Sequence, residues 1–302
     1  MQIILDRNAP SLSRYLWESA AEGLRITMEG HLPQRDEIAH HIVARLHSEF
    51  ESMRDQFSSP GLVPTCRVDD LLPQALACQI HENFPAVGRM MFKNSMKERK
   101  YVTAQMSDYS PILEEAVFAF QDPRVVDLVS GITGLREIEP DADLYAGGIS
   151  AMPKGNYLKP HLDNSHDKDR KRYRVLNLLY YVTPGWREDY GGSLELWDQG
   201  PKGKPRPVPS LFNRLVLMVT NKSSWHSVSE VLHDRSRCCV SNYYFSPVPP
   251  EENDYFHATS FRGRPEEKVT DWIMTADNAL RTAVLKTLGS KVYRNPHVYK
   301  RV

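Results

Sequence analysis

The sequence predicts an α+β fold: a double-stranded β-helix core of the jelly-roll or cupin-like type, flanked by helices and preceded by an N-terminal helical extension. Three observations predict it. Apolar residues recur at helical spacing in the first sixty residues. From about residue 136 the pattern changes to short apolar runs separated by Gly, Pro, Asp and Asn, which is typical of closely spaced strands. The helical pattern returns from about Arg264 to Leu288.

Helices dominate the prediction before residue 136. They are expected over residues 11–24, from about Asp36 to Gln56, and over 111–120 and 123–133, the last ending near Gly131 and Gly134. The segment SSPGLVP (58–64) breaks the chain, and CRVDDLLPQALACQIHENF (66–84) predicts a short strand followed by a helix. We therefore expect an N-terminal helical extension packed on the core (1–63), a jelly-roll domain (64–250) and a helical tail (251–302).

The bulk composition narrows the class of protein. Lys+Arg and Asp+Glu both number 38, so the net charge is zero and a nucleic-acid-binding surface is not expected. The basic run from Lys168 to Arg174 is a candidate for a local basic patch, but the favoured interpretation is a solvated loop. Four cysteines without zinc-finger spacing argue against a metal finger or a disulfide framework.

The sequence contains neither a signal-peptide pattern nor an apolar run of the ~20 residues that a membrane-spanning helix needs. We therefore expect a cytoplasmic protein. A peripheral membrane contact and a homo-oligomer stay open.

The stretch KPHLDNS (159–165) contains the first candidate metal ligands. On a strand, residues two apart point to the same face, so His161 and Asp163 can reach one metal ion together. His226, which follows the apolar run RLVLMVT, is the best third ligand, while His166 and His233 are the nearby alternatives. Two histidines and one carboxylate form the facial triad of non-haem Fe(II) oxygenases, which leaves open positions for a cosubstrate and oxygen.

A candidate anion anchor follows. Arg237 lies eleven residues after His226 and opens the run RCCVSNYYF. An oxygenase that uses 2-oxoglutarate needs a fixed cation for the distal carboxylate, and the planar arginine fork binds carboxylate with two parallel hydrogen bonds. Arg235, two residues earlier, remains the alternative anchor.

With these residues in place, the chain resembles the Fe(II)- and 2-oxoglutarate-dependent oxygenases of the prolyl-4-hydroxylase-like branch. The resemblance covers about residues 64–247, and it is strongest from HLDNS through RVLNLLYYVTPGW, GGSLELW, FNRLVLM and WHSV to RCCVSNYYF. It implies that Fe(II) is held by His161, Asp163 and His226. It also implies a cosubstrate pocket in which Arg237 grips the distal carboxylate, Tyr181 hydrogen-bonds the same carboxylate, and Asn177 lines the wall.

The resemblance implies a hydroxylase. Such an enzyme uses Fe(II), O2 and 2-oxoglutarate, with ascorbate (vitamin C) as a candidate reductant, and releases succinate and CO2 while hydroxylating an unactivated C–H bond. Similarity to stand-alone bacterial members favours a small-molecule or glycan substrate, such as the Kdo sugar of lipopolysaccharide or another small metabolite. The alternatives are a prolyl hydroxylase acting on a protein or a free amino acid, a cupin-type enzyme without 2-oxoglutarate, and a non-enzymatic jelly-roll binding module.

Overall fold

The computed structural model describes residues 32–145, 147–250, 256–288 and 298–300. The helix predicted over 11–24 lies outside the described residues. The described residues from Gln34 onward form one compact unit. No helix in the described part of the chain is both long and apolar enough to cross a lipid bilayer.

In chain order, five of the described helices precede the strand-rich part that begins near residue 136, and one follows it. They are α1 (Arg35–Ser48), α2 (Phe50–Phe57), α3 (Gln74–Glu82), α4 (Pro111–Ala119), α5 (Pro123–Thr133) and α6 (Lys268–Leu288). The single helix predicted from Asp36 to Gln56 is wrong in one respect, because it is divided at Glu49, whose φ of −108° and ψ of 9° depart from helical values.

The capping residues of α5 explain why its bounds were predictable. The Asp122 side chain accepts a hydrogen bond from the Arg124 backbone N–H, and Pro123 occupies the first turn. Gly134 ends the helix in the left-handed conformation, with φ of 69°. Gly131 lies inside the helix, where a Cβ atom would come within 3.0 Å of the Phe50 ring. Any larger residue there would have to displace the Phe50 ring, so glycine suits the close contact between α2 and α5.

All strand pairs among the described residues are antiparallel and belong to one curled sheet. The strands are β1 (Thr65–Val68), β2 (Met91–Asn94), β3 (Glu98–Thr103), β4 (Glu139–Pro140), β5 (Gly148–Met152), β6 (Tyr157–Leu162), β7 (Tyr173–Tyr181), β8 (Leu194–Leu196), β9 (Arg206–Val208), β10 (Arg214–Val219), β11 (His226–Val228), β12 (Arg237–Ser246) and β13 (Ser260–Phe261). Their order is β1-β10-β7-β12-β5-β3-β6-β11-β8-β9, with β2 beside β3, β4 beside β12 and β13 beside β6. This is the predicted jelly-roll architecture.

The two faces of the curled sheet differ in character. The outer face is covered by helices, and the side chains of Ile38, Ile42 and Leu46 from α1 are fully buried in the main core. The inner face carries polar and charged side chains from β6, β7, β11 and β12, including His161, Asn177 and Arg237, and these are buried as well. Buried polar groups are costly unless they are paired or used, so the interior is where a functional site is expected.

Candidate active site

His161, Asp163 and His226 converge inside the jelly roll. Strands β6 and β11 pair with His226 directly opposite His161, which brings the two imidazole centroids to 4.0 Å. Asp163 follows β6, with its Oδ1 3.6 Å from His161 Nε2 and its Oδ2 3.8 Å from His226 Nε2. One candidate ligand atom from each residue lies within 4.8 Å of the others. The structure therefore brings together the three residues that the sequence indicated.

The hydrogen bonds of both histidines select the tautomer that a metal needs. His161 Nδ1 is 3.0 Å from the Lys159 carbonyl oxygen, and His226 Nδ1 is 2.9 Å from the Ser224 carbonyl oxygen. A carbonyl oxygen can only accept, so each Nδ1 carries the proton and donates it. Each Nε2 is then a lone-pair donor that faces the centre of the site, which is the arrangement found around metal-bound histidines.

Burial keeps His226 neutral. Desolvation, and then the neighbouring His161, lower the pKa of His226 to about 4. A neutral imidazole is the form that binds a metal ion.

The Asp163 carboxylate is held by two polar groups from β7. Asn177 donates to its Oδ2 at 2.8 Å, and the Arg174 guanidinium lies 3.7 Å from the same oxygen. Burial alone would raise the pKa of Asp163, but its interactions with His161 and His226 and the charge of Arg174 keep this pKa well below the ordinary value. The carboxylate is therefore ionised and oriented.

Asn177 was expected to line the cosubstrate pocket. In the structure its amide nitrogen donates to Asp163, and its amide oxygen accepts from the Thr220 hydroxyl at 3.1 Å. Both ends of the amide are therefore engaged beside the carboxylate ligand.

Arg174 corrects the interpretation of the basic run. The sequence placed it in a solvated loop, but it lies in β7 and its exposed fraction is only 1%. Its guanidinium packs over the ring of Tyr243, with 4.2 Å from Cζ to the ring centroid, and it donates to the Tyr145 carbonyl oxygen at 3.3 Å. The solvated-loop interpretation was wrong for this residue because strand β7 begins inside the basic run and turns one arginine inward.

Arg237 is a second buried guanidinium, at the first position of β12. Its exposed fraction is 4%, its Nε donates to the Ser210 hydroxyl at 3.0 Å, and its Nη1 lies 3.6 Å from the Met152 sulfur. Among the described residues no carboxylate forms an ion pair with it. A buried, unneutralised guanidinium is costly, so this geometry is suited to an anionic ligand.

Tyr181 lies beside the Arg237 guanidinium. Arg237 lies over its ring, with 4.6 Å from Cζ to the ring centroid. The Tyr181 hydroxyl is buried and makes no hydrogen bond with the described residues, and burial raises the pKa of this phenol to about 12. The hydroxyl is therefore protonated, and it is available to donate to a ligand beside Arg237.

Glycine is required next to Arg237. Gly192 has φ of 68°, and a Cβ atom there would lie 3.0 Å from Arg237 Cδ. The Ser210 hydroxyl, which accepts from Arg237, donates to the Gly192 carbonyl oxygen at 2.7 Å. Gly192 therefore leaves room for the Arg237 side chain, and its carbonyl oxygen holds the Ser210 hydroxyl that accepts from the arginine. No sequence motif around Ser210 or Met152 could have indicated that these residues contact Arg237.

The alternatives left open by the sequence lie elsewhere. Arg235 is exposed at the surface. His166 contacts Ser165 and the ring of Tyr173, and His233 stacks on Tyr190 with 3.8 Å between ring centroids. Among the described residues, neither of these histidines belongs to a group of ligand-type side chains that could hold a metal ion.

The C-terminal segment reaches the metal-ligand strand, which the sequence did not indicate. Strand β13 pairs with β6 so that Phe261 lies opposite His161, and the two rings stack with 5.1 Å between centroids and 15° between planes. A two-residue strand leaves no periodic signal. The residues present fit an iron site, because two neutral imidazoles and one carboxylate are suited to Fe(II) and Phe261 restricts the motion of one imidazole.

Comparison with known proteins identifies the domain. Residues 147–245 match the model of the 2OG-Fe(II) oxygenase superfamily. The chain is 26% identical to the prolyl 3-hydroxylase OGFOD1 of Mus musculus over 220 residues, which are 69% of this chain and 36% of the mouse protein. It is 39% identical to the Xenopus laevis prolyl 3-hydroxylase OGFOD1 over 84 residues, which are 26% of this chain and 16% of that protein. The chain thus spans about a third, or less, of the length of these relatives.

Solved structures of low sequence identity are also similar. A Pseudomonas putida prolyl-4-hydroxylase matches with a TM-score of 0.46 and 17% identity, over 65% of this chain and 98% of that one. HygX from Streptomyces hygroscopicus, with nickel, 2-oxoglutarate and hygromycin B bound, matches with a TM-score of 0.43 and 12% identity, over 66% of this chain and 86% of that one.

Proposed function

From the premise that residues 147–245 are a 2OG-Fe(II) oxygenase domain, we propose that this protein hydroxylates an unactivated C–H bond of its substrate. The reaction consumes O2 and 2-oxoglutarate, releases succinate and CO2, and places one oxygen atom in the product as a hydroxyl group. One observation carries the proposal: the convergent triad of His161, Asp163 and His226 lies in the same interior as Arg237, a buried arginine without a carboxylate partner among the described residues.

In this proposal the triad binds Fe(II), and the iron supplies the oxidising chemistry when 2-oxoglutarate and O2 are bound. His161 and His226 bind through Nε2, because their Nδ1 protons are held by backbone carbonyl oxygens. Asn177 holds Oδ2 of Asp163, so its role is to orient a ligand rather than to contact the cosubstrate.

The cosubstrate anchor is the corner of Arg237, Tyr181 and Ser210. The guanidinium provides a charge-assisted hydrogen bond to the distal carboxylate of 2-oxoglutarate, and the Tyr181 hydroxyl donates a second hydrogen bond. Ser210 holds Nε of the arginine, which leaves the terminal nitrogens for the ligand. Arg235 is exposed, which favours Arg237 as the anchor.

Two substrate classes follow from different arguments. The names of the matched curated relatives favour a prolyl residue of a protein. The resemblance to stand-alone bacterial members of the family favoured a glycan such as Kdo, or another small metabolite. The prolyl substrate has the more direct support, and the glycan is the second candidate.

The test is succinate release from 2-oxoglutarate by the purified protein. It is measured with and without Fe(II), with ascorbate as reductant, and in the presence of proline-containing peptides or of sugars. We expect slow succinate release that needs iron, and faster release with the true substrate class. A protein that neither binds 2-oxoglutarate nor releases succinate with iron present would instead be a binding module.

A further inference from the structure

The hairpin formed by β2 and β3 carries a cluster of charged side chains. In the antiparallel register, Lys93 lies directly opposite Lys100, so their side chains share one face. Glu98, two residues before Lys100 on the same strand, shares that face. Directly opposed side chains on one face have Cβ atoms roughly 4.5–5.5 Å apart, so the two ammonium groups can reach a common ligand.

This face of the hairpin points into the jelly roll. Val102, two residues after Lys100 on β3, has its side chain on the same face of the sheet as Lys100. It lies opposite Ser150 of β5, and Ser150 lies opposite Cys239 of β12. Cys239 is two residues from Arg237 and shares its face, which is the inner face of the sheet. The hairpin lysines therefore belong to the same interior wall as the proposed cosubstrate anchor.

The same cluster is close to the metal ligands. Glu98 lies opposite Leu158, on the strand that carries His161. The ladder between β6 and β11 shifts register between Leu158 and His161, so both residues face inward despite their odd spacing.

One of the two lysines makes no direct ion pair with any described residue. Lys100 Nζ is 3.1 Å from Glu98 Oε2, and both side chains are half-buried. Among the described residues, the Lys93 ammonium makes no hydrogen bond or ion pair, and burial and then the charge of Lys100 lower its pKa. Two cations and one carboxylate leave this cluster with one net positive charge.

The neighbouring lysines behave differently. Lys97 pairs with Asp277 at 2.6 Å, and Lys159 pairs with Glu267. Their charges are neutralised by the C-terminal segment, whereas the half-buried charge of Lys93 is not. A charge left in this position is costly unless a ligand compensates it.

We propose, on the basis of the proposed hydroxylase function, that Lys93 and Lys100 form a subsite for an anionic group of the substrate. The group is a carboxylate, phosphate or sulfate, and it is bound on the inner face of the β2–β3 hairpin, close to the iron. Lysine suits this role because its ammonium is a compact charge with three donors that adapts to any of these anions. The subsite is separate from Arg237, so the cosubstrate and the substrate anion do not compete.

The test uses inorganic sulfate as the probe and the protein loaded with Fe(II) and saturating 2-oxoglutarate under anaerobic conditions. Isothermal titration compares the wild type with the double variant Lys93→Gln/Lys100→Gln. The matched control is Lys154→Gln, which removes the same charge from an exposed lysine. We expect saturable sulfate binding to the wild type and the control, and a loss of about tenfold or more in the double variant. Lys93→Arg/Lys100→Arg should retain binding.

A second variant gives a change of the opposite sign. Glu98→Gln removes the negative charge of the carboxylate that lies beside the two lysines. Sulfate binding should therefore tighten by about threefold to tenfold. A purely structural role of the cluster would not produce tightening. The proposal is overturned if the wild type shows no saturable sulfate binding, if the double glutamine variant binds as the wild type does, or if Glu98→Gln weakens binding.

Substrate-free succinate release, measured on the same variants, separates this proposal from the proposed function. The Lys154→Gln control should keep wild-type affinity for 2-oxoglutarate and its slow uncoupled turnover. If the wild type binds sulfate but never releases succinate, the hydroxylase function fails while the anion subsite stands. If succinate is released but the affinity for sulfate is the same with and without the two lysines, only the proposed anion subsite is wrong.

Discussion

Arg174 and Arg237 are both buried in the jelly-roll interior, at opposite ends of the paired strands β7 and β12. Arg174 lies beside the Asp163 carboxylate and among the rings of Tyr145 and Tyr243. Arg237 lies beside Ser210 and a tyrosine ring, and no carboxylate among the described residues pairs with it. The charge of Arg174 is thus used within the protein, and that of Arg237 is available to a ligand. The residue type is the same, so the partners decide the role.

The largest effect is expected at the triad that lies between the two arginines. His161→Ala, Asp163→Ala and His226→Ala should each lower the affinity for Fe(II) by more than about a hundredfold, because each removes one of the three proposed protein ligands. Iron binding measured by equilibrium dialysis tests this, and circular dichroism should show a folded protein, because the apolar core does not include the metal. His233→Ala is the control. If His226→Ala kept full iron and turnover while His233→Ala lost both, the third ligand would be misassigned.

The next effect tests the free arginine. Arg237→Ala should raise the 2-oxoglutarate concentration needed for half-maximal turnover on the order of a hundredfold, because a buried charge-assisted contact is lost. Iron affinity should remain nearly unchanged. Arg237→Lys should rescue only in part, since an ammonium cannot reproduce the planar fork. Arg235→Ala is the matched control. A large shift for Arg235→Ala and none for Arg237→Ala would place the anchor two residues earlier.

A smaller effect, on Fe(II) binding, is expected at Arg174, the arginine that lies beside the Asp163 carboxylate. Arg174→Met should weaken Fe(II) binding by about tenfold, because the Asp163 carboxylate loses a neighbouring cation that keeps it ionised and oriented. At saturating iron, the 2-oxoglutarate requirement should stay at the wild-type value. Arg174→Lys should recover part of the iron affinity, which distinguishes the charge from packing. The comparison between the two arginines fails if Arg174→Met changes the 2-oxoglutarate requirement but not iron binding.

The smallest effect concerns stability near Arg174. Burial raises the pKa of the Asp141 carboxyl to about 6 although the charge of Arg174 opposes the shift. Between the unfolded value of 3.8 and about 6, the folded state binds the extra proton, so this group makes stability fall as pH rises through that window. Asp141→Asn should remove the fall and raise the free energy of unfolding at pH 8, relative to wild type, by on the order of 2 kcal/mol.

Urea denaturation at pH 4 and pH 8 checks this expectation. The difference between Asp141→Asn and wild type should be near zero at pH 4 and should favour the variant at pH 8. Asp143→Asn is the control, because its carboxylate is partly exposed and pairs with Lys168 at the surface. Equal stability changes at both pH values would show that the carboxyl does not titrate in this window.

Local sequence patterns determined much of the fold and pointed to the three candidate metal ligands that the structure brings together. The caps Asp122, Pro123 and Gly134 act on residues next to them in the chain, so the bounds of α5 could be predicted. His161 and Asp163 are two apart, and their common direction follows from the period of a strand. Arg237 was found by its position after His226 and by the chemistry that a carboxylate ligand demands.

Long-range strand pairing decided the rest. The inward direction of Arg174, the stacking of Phe261 on His161, and the placement of Lys93 opposite Lys100 depend on which strands are neighbours and in which register. A shift of one residue in register turns a strand's side chains to the other face, and the sequence of one strand does not contain the register of its partner. The sequence by itself therefore determined the ligand types and the strand-rich core, and the tertiary structure alone decided which charges meet a partner inside it.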